Sequence, residues 1–157
     1  MRKFFLRATI LSVLLLILGG AFMLFLSQVR PFRPGNFVFP VQYLAERQRA
    51  ALTPGATTRA NYELTLLAQR IDDLVIRTGT RHELTAIRYL DLALDHASNA
   101  VALISEDDPA TQAELRSRLL ALVQQLESLL LTLQIVPTEN PDVFQALQAK
   151  ISTLALM

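Results

Sequence analysis

Apolar residues follow two different patterns along this chain. From Ala8 to Ser27 it reads ATILSVLLLILGGAFMLFLS, twenty residues without a charge. At a rise of about 1.5 Å per residue such a run spans the ~30 Å hydrocarbon core of a bilayer. It predicts a transmembrane helix over residues 8–29, preceded by a short tail, 1–7, and followed by a proline-rich linker, 30–39. Arg2, Lys3 and Arg7 precede the run, so the positive-inside rule places the N-terminus in the cytoplasm and the remainder outside, against a smaller opposing bias from Arg30 and Arg33. A cleaved signal peptide, cut near Gly19-Gly20-Ala21, is the competing reading. Phe22 to Leu26 continue the apolar run past that point, which is longer than the usual h-region of about 7 to 15 residues, so a retained anchor is favoured.

From Pro40 onward the apolar residues return every three or four positions, the period of a helix with one buried face. A helix starting at Pro40 would place Val41, Leu44, Ala45, Ala51 and Leu52 on its packing side and leave Glu46, Arg47 and Arg49 in water, with Pro54-Gly55 ending it. The next, over 56–78, carries Leu64, Leu67, Ile71 and Leu74 on one seam and stops at Gly79. Thr80 and Glu83 have the spacing of a capping box, in which each side chain satisfies an otherwise unpaired amide at a helix start. The seam behind it runs Ile87, Leu90, Leu94, Ala97, Val101 and Ile104. Asp108-Pro109 reads as an N-cap followed by a first-position proline. The helix it opens has Leu115, Leu119, Leu122, Leu126, Leu129 and Leu133 on one seam, widened by Leu120, Val123, Leu130 and Leu131. Pro137 ends it, and Asn140-Pro141 starts a last short helix with Phe144, Leu147, Ile151 and Leu154 inward. No stretch alternates with period two between turn signals, so no sheet is expected. Long helices joined by short turns run antiparallel to their neighbours. The expected fold is all-α: an N-terminal transmembrane helix, then an up-down antiparallel bundle of about four to five helices occupying residues 40–157.

Composition narrows the function more than it reveals it. The 157 residues suit one domain and an anchor. The net charge is only +1, and Arg2, Lys3, Arg7 and Arg30 flank the apolar run, leaving the rest slightly acidic. A nucleic-acid partner would need a concentrated basic face, so none is expected. The chain has no cysteine, which removes disulfides, thiolate nucleophiles and cysteine-type zinc sites. It has no glycine-rich phosphate loop, no G-x-S-x-G elbow and no H-E-x-x-H pair. Asp91, Asp95 and His96 come nearest to a metal or acid-base cluster, but they lie opposite the Ile87-Leu90-Leu94 seam and read as a solvated face with Arg88 as ion-pair partner. His82 reads as a surface residue near a turn, Asp72-Asp73 as a solvated helix end and Glu106-Asp107-Asp108 as a capping run. No catalytic, cofactor-binding or metal-ligating residue and no enzymatic activity are expected.

One stretch carries a more specific signal. Pro34, Gly35, Phe39 and Pro40 are followed by Glu46, by Leu52-Thr53-Pro54, by Arg59-Ala60, and by Ala68, Arg70, Ile71 and Asp72. In that order they match P-G-x-x-x-[YF]-P-x-K, a glutamate, L-T-P, R-A and A-x-R-[LI]-[DE]. The forty residues from Pro34 to Asp73 thus resemble a family of bacterial, membrane-anchored, largely helical domains of unknown function that lie just after a transmembrane segment. The departures are Gln42, where lysine is usual, and Gly55, where an aspartate cap is usual. The resemblance implies an extracytoplasmic helical domain without a known activity, with Pro34, Gly35, Phe39, Pro40, Leu52, Thr53, Pro54 and Arg59 as its structural motif.

The leading expectation is a membrane-tethered extracytoplasmic interaction or scaffold module, anchored by a single pass and presenting a bundle surface to an unidentified protein partner, or to a second copy of itself. The alternatives are a signalling component, such as a sensor subunit or an anti-sigma-like regulator, and a small-molecule or lipid binder using the bundle core. The tail MRKFFLR is too short to hold a folded effector domain, which counts against the signalling reading. Phe37, Val38 and Phe39 admit two roles: an aromatic belt at headgroup level, or a plug on the membrane-proximal end of the bundle. The plug is favoured because the apolar side of the Pro40 helix needs a partner.

Overall fold

The structure, a computed structural model, describes residues 2–30, 32–104, 108–132 and 141–155, with side chains from Thr9 onward. Pro31, Glu106, Asp107, Leu133, Pro137 and Asn140, named above, lie outside the described residues, as do the side chains of Arg2, Lys3, Arg7 and Ala8. Among the described residues there are six α-helices and no strand: α1 Arg2–Val29, α2 Phe39–Leu52, α3 Ala56–Arg77, α4 Glu83–Ala102, α5 Pro109–Thr132 and α6 Pro141–Ala155. Their packing divides the chain into two units, Met1–Leu52 and Thr53–Met157. Within the first unit α2 packs against α1.

In the first unit α1 is 28 residues long, about 42 Å at 1.5 Å per residue. Arg30 closes it in a left-handed conformation, φ 49°, with its N–H donating to the Leu26 carbonyl at 3.2 Å. The Pro34-Gly35 pair then turns the chain. The Asn36 N–H donates to the Arg33 carbonyl at 3.0 Å, with Pro34 second and Gly35 third at φ 91°. This is the arrangement of a type II turn, whose third position needs the positive φ that glycine adopts without strain. Asn36 Oδ1 accepts the Val38 N–H at 2.9 Å, which leads the backbone into α2. The helix therefore begins at Phe39, one residue earlier than expected, and Pro40 sits in the first turn, where its missing N–H costs nothing.

The face that α2 buries is not the expected one. Phe39, Gln42, Ala45, Glu46 and Ala50 are buried, while Val41, Leu44, Ala51 and Leu52 are exposed. Glu46, expected in water, is inside. The three apolar residues before the helix also divide: Phe37 is 92% exposed, Val38 half-buried and Phe39 enclosed.

The second unit is the helical bundle, and there the expected seams of its first two helices hold. Leu64, Leu67, Ile71 and Leu74 of α3 and Ile87, Leu90, Leu94, Ala97 and Val101 of α4, continued by Ile104, form one continuous core with α5 and α6. α4 packs against α3, α5 and α6, and α5 packs against α3 and α6. The turn from α3 to α4 is a second type II turn: Thr78 has φ −54° and ψ 134°, Gly79 has φ 72°, and the Thr80 N–H donates to the Arg77 carbonyl at 3.0 Å. That turn displaces the expected capping box. α4 starts at Glu83 instead of near Thr80, and Glu83 Oε2 accepts the Gly79 N–H at 2.5 Å; Thr80 Oγ1 accepts the His82 N–H at 3.3 Å.

The start of α5 matches expectation. Asp108 Oδ1 accepts the Thr111 N–H at 3.2 Å, and hydrogen bonding to Thr111 holds the Asp108 carboxyl below its ordinary value. Along α5 the buried residues are Leu115, Leu119, Val123, Leu126 and Leu130, with Leu122 and Leu129 at the margin of the core. The stripe drifts because a helix of 3.6 residues per turn outruns a seven-residue repeat by about 20° per heptad. Leu131 ends up 75% exposed. In α6, Leu147 and Ile151 are buried and Phe144 and Leu154 pack against the core edge.

Leu94 is fully enclosed in this core, so Leu94→Ala is expected to destabilise the bundle by about 2–5 kcal/mol. Leu131→Ala should change stability by no more than about 0.5 kcal/mol. Thermal unfolding of the full chain in detergent, followed by far-ultraviolet circular dichroism, should show a lowered midpoint for the first variant alone.

Candidate functional site

Polar chemistry collects in three places. The first is a clamp in unit 1. Gln42 is completely enclosed, and its carboxamide faces the backbone of Phe32 from both sides: Oε1 accepts the Phe32 N–H at 2.9 Å and Nε2 donates to the Phe32 carbonyl at 3.0 Å. Nε2 also donates to Glu46 Oε1 at 3.0 Å. A carboxamide both donates and accepts, so one side chain satisfies both backbone groups; a lysine ammonium, which only donates, would leave the N–H without its acceptor. This explains why α2 buries its polar side. Near the end of α1, Ser27 is also enclosed; its Oγ donates to the Leu24 carbonyl at 2.9 Å, and the Ser27 carbonyl accepts from Arg30 Nε at 3.2 Å and Arg49 Nη1 at 3.4 Å. A hydropathy count sends Gln42 and Glu46 to water. The signal that could have found the clamp is their i, i+4 spacing beside Ala45 and Ala50, where small side chains permit close packing.

The second place is on α3. Beside its leucine seam runs another buried row, Glu63, Leu66, Arg70 and Asp73. Arg70 Nη1 and Asp73 Oδ2 are 2.5 Å apart. Asp73 is thus not part of a solvated helix end, because Arg70 one turn earlier neutralises it; Asp72 is exposed as expected. The motif residues before α3 shape a loop. Gly55 has φ 80° and ψ 138°, where an aspartate would be strained, and its carbonyl accepts the Arg59 N–H at 3.1 Å. Arg59 Nη2 also reaches the Thr53 carbonyl at 3.5 Å. Of the motif, Pro34 and Phe39 are buried, Gly35 and Thr53 are half-buried, and Pro40, Leu52, Pro54 and Arg59 are exposed.

The third place joins α4 to α6. Lys150 Nζ lies 2.5 Å from Asp91 Oδ1 and 2.8 Å from Asp95 Oδ1. The partner of these aspartates is this distant lysine rather than Arg88 on their own helix. Partial burial of Lys150 opposes its charge, but its hydrogen bonds and proximity to Asp91 and Asp95 outweigh that and push its pKa above the ordinary value. Among the described residues no group of three or more imidazole, thiol or carboxylate side chains is placed to hold a metal ion.

A groove also opens between α4, α5 and α6. Its volume is about 410 Å³, and Ser98, Val101, Arg116, Leu119, Leu120 and Leu154 line it. A smaller one of about 210 Å³ lies between α5 and α6, beside Leu130 and Ile151. The larger has mainly apolar walls and one guanidinium, that of Arg116.

Two outcomes follow from this geometry. Gln42→Leu removes the side-chain partner of both Phe32 backbone groups and one hydrogen bond to Glu46, at a cost of about 1–3 kcal/mol. Hydrogen exchange should then show the Phe32 amide deprotected, and Gln42→Lys should leave that same amide unprotected while restoring a donor to the Phe32 carbonyl. For Lys150 the folded pKa is raised, so its contribution is fully present below the unfolded value near 10.5 and is lost as pH rises through the higher folded value. Each such pair contributes about 0.2–1 kcal/mol. Lys150→Met should therefore lower the unfolding midpoint at pH 8 and flatten the alkaline decline above pH ~10.5 seen in the parent chain.

Compared with known proteins, the chain matches no family model, no curated protein and no solved structure.

Proposed function

We propose that the chain is a single-pass membrane protein that holds its helical bundle outside the cytoplasm as an interaction or scaffold module. One observation carries this reading: the apolar surface of α1 is uncovered. Over Thr9–Val29 the mean hydropathy is 2.6, and the leucines, isoleucines and phenylalanines from Ile10 to Phe25 are exposed. A helix apolar on all sides needs an apolar surround, which a bilayer supplies. Arg2, Lys3 and Arg7 on its leading flank favour a cytoplasmic N-terminus. On the bundle, Leu103 and Leu131 stand exposed and offer apolar contacts to a protein partner.

A second reading, a binder of small amphiphiles or lipids, is favoured by the α4–α5–α6 groove. Its volume lies within the ~300–1,000 Å³ range of ligand sites, and Arg116 would complement an anionic group.

Cells with a permeabilised outer layer, treated with protease, should lose the bundle while α1 stays in the membrane through alkaline carbonate extraction. Protection of the bundle, or release of the whole chain by carbonate, would overturn the anchor. A photo-crosslinker at Leu103 should then give a protein adduct; one in the groove at Leu120 that captures only lipid favours the second reading.

A further inference from the structure

In water, α2 faces the wrong way. Its inner side carries Gln42 and Glu46, and its outer side carries Val41, Leu44, Ala51 and Leu52, with Phe37 just ahead of the helix. At about 100° per residue, Val41, Leu44, Ala51 and Leu52 fall on one arc that also carries the polar Gln48, and Arg47 and Arg49 lie towards its two margins. Leu44 is 50% and Leu52 82% exposed. The hydrogen bonds of Gln42 to Phe32 and Glu46 explain why the polar side goes in. They do not explain what receives the apolar side.

Two observations identify the occupant. The first is continuity with α1. Among the described residues of α1, those buried are Leu26 and Ser27, in its last turn, and Arg49 of α2 reaches the Ser27 carbonyl there. α2 is therefore held where the apolar run ends, at the level where a bilayer crossed by α1 would give way to headgroups. The second is charge. From Arg30 to Leu52 there are four arginines, Arg30, Arg33, Arg47 and Arg49, and one carboxylate, Glu46, which is buried. An apolar stripe bordered by arginines is the pattern of a helix lying in the plane of an anionic membrane surface.

We propose that α2 is an interfacial helix lying on the bilayer that α1 crosses, with Phe37, Val41, Leu44 and Leu52 entering the acyl boundary and Arg47 and Arg49 level with anionic headgroups. The proposal rests on the reading of α1 as a membrane anchor. It assigns the apolar side to lipid, so that both faces of α2 are satisfied: the polar one by the Phe32 clamp and the apolar one by acyl chains. Pro34-Gly35 supplies the turn that brings Phe32 back onto Gln42 and fixes which face looks outward.

The absence of cysteine allows one label per molecule. The full chain, carrying an environment-sensitive NBD fluorophore at Leu16→Cys, Leu44→Cys or Leu52→Cys, is reconstituted in vesicles of phosphatidylcholine and phosphatidylglycerol. The expected result at Leu44 and Leu52 is a blue-shifted emission, loss of quenching by aqueous iodide, and stronger quenching by lipids bearing a nitroxide near the headgroup than by lipids bearing it deep in the acyl chain. The Leu16 label should show the opposite depth preference. If Leu16 is quenched from the deep position while Leu44 and Leu52 remain open to iodide, the proposal is overturned and the anchor stands. Shielding of Leu44 and Leu52 from iodide and lipid quenchers alike also overturns it, since protein then covers the stripe. A Leu16 label untouched by the deep quencher refutes the anchor, and the interfacial helix with it.

Discussion

The bundle depends on a single unbroken row of side chains. Ile87, Leu90, Leu94, Ala97 and Val101 on α4, extended by Ile104, are all buried, and α4 packs against each of the other three helices of its unit. A row with steps of three and four stays on one side of a helix, so neighbours can interdigitate with it from one end to the other. Ala86, Ala93, Ala97 and Ala100 widen the buried face with small side chains, which lets helix backbones approach closely.

Ion pairs and hydrogen bonds fix what hydrophobic burial leaves loose. Leucine contacts are non-directional, and a helix as short as α6 has few of them: only Leu147 and Ile151 are fully enclosed. Lys150 adds direction by reaching both Asp91 and Asp95 one turn apart on α4, which sets the rotation of α6 as well as its height. On α2 the polar group decides the orientation outright. Gln42 meets donor and acceptor on one residue, Phe32, and a face that satisfies all its polar atoms prevails over one that would merely bury Val41 and Leu44. The loss of an unpaired amide and carbonyl inside exceeds the gain from half-burying two aliphatic side chains.

The two units differ in how they meet the demand for apolar burial. The bundle satisfies it internally, with its core shared among α3, α4, α5 and α6. The first unit does not: among the described residues α1 exposes most of its apolar side chains, and α2 exposes Val41, Leu44 and Leu52. A bilayer is the environment in which that distribution costs least. The membrane and interfacial proposals therefore rest on the same physical imbalance, read once along α1 and once across α2.

Helix number, the seams of α3 and α4, the stop before Gly79 and the start at Pro109 were legible in the sequence, because periodicity, glycine at positive φ and first-turn proline act over a few neighbouring residues. So was the Asp108 cap, which needs only Thr111. The capping box failed because Thr78 and Gly79 formed a type II turn that drew the Glu83 carboxylate one residue back, to the Gly79 amide. The face of α2, the burial of Asp73 and the partner of Asp91 and Asp95 could not be read from local pattern. Each depends on where another group lies: Phe32 folded back across the Pro34-Gly35 turn, Arg70 enclosed on the side of α3 beside its leucine seam, and Lys150 arriving from a different helix. Hydropathy assigns a polar residue to water because it counts only the cost of leaving it. Tertiary structure alone decides whether a partner waits inside to offset that cost, and for Gln42 it is the two hydrogen bonds to Phe32 that turn the helix over.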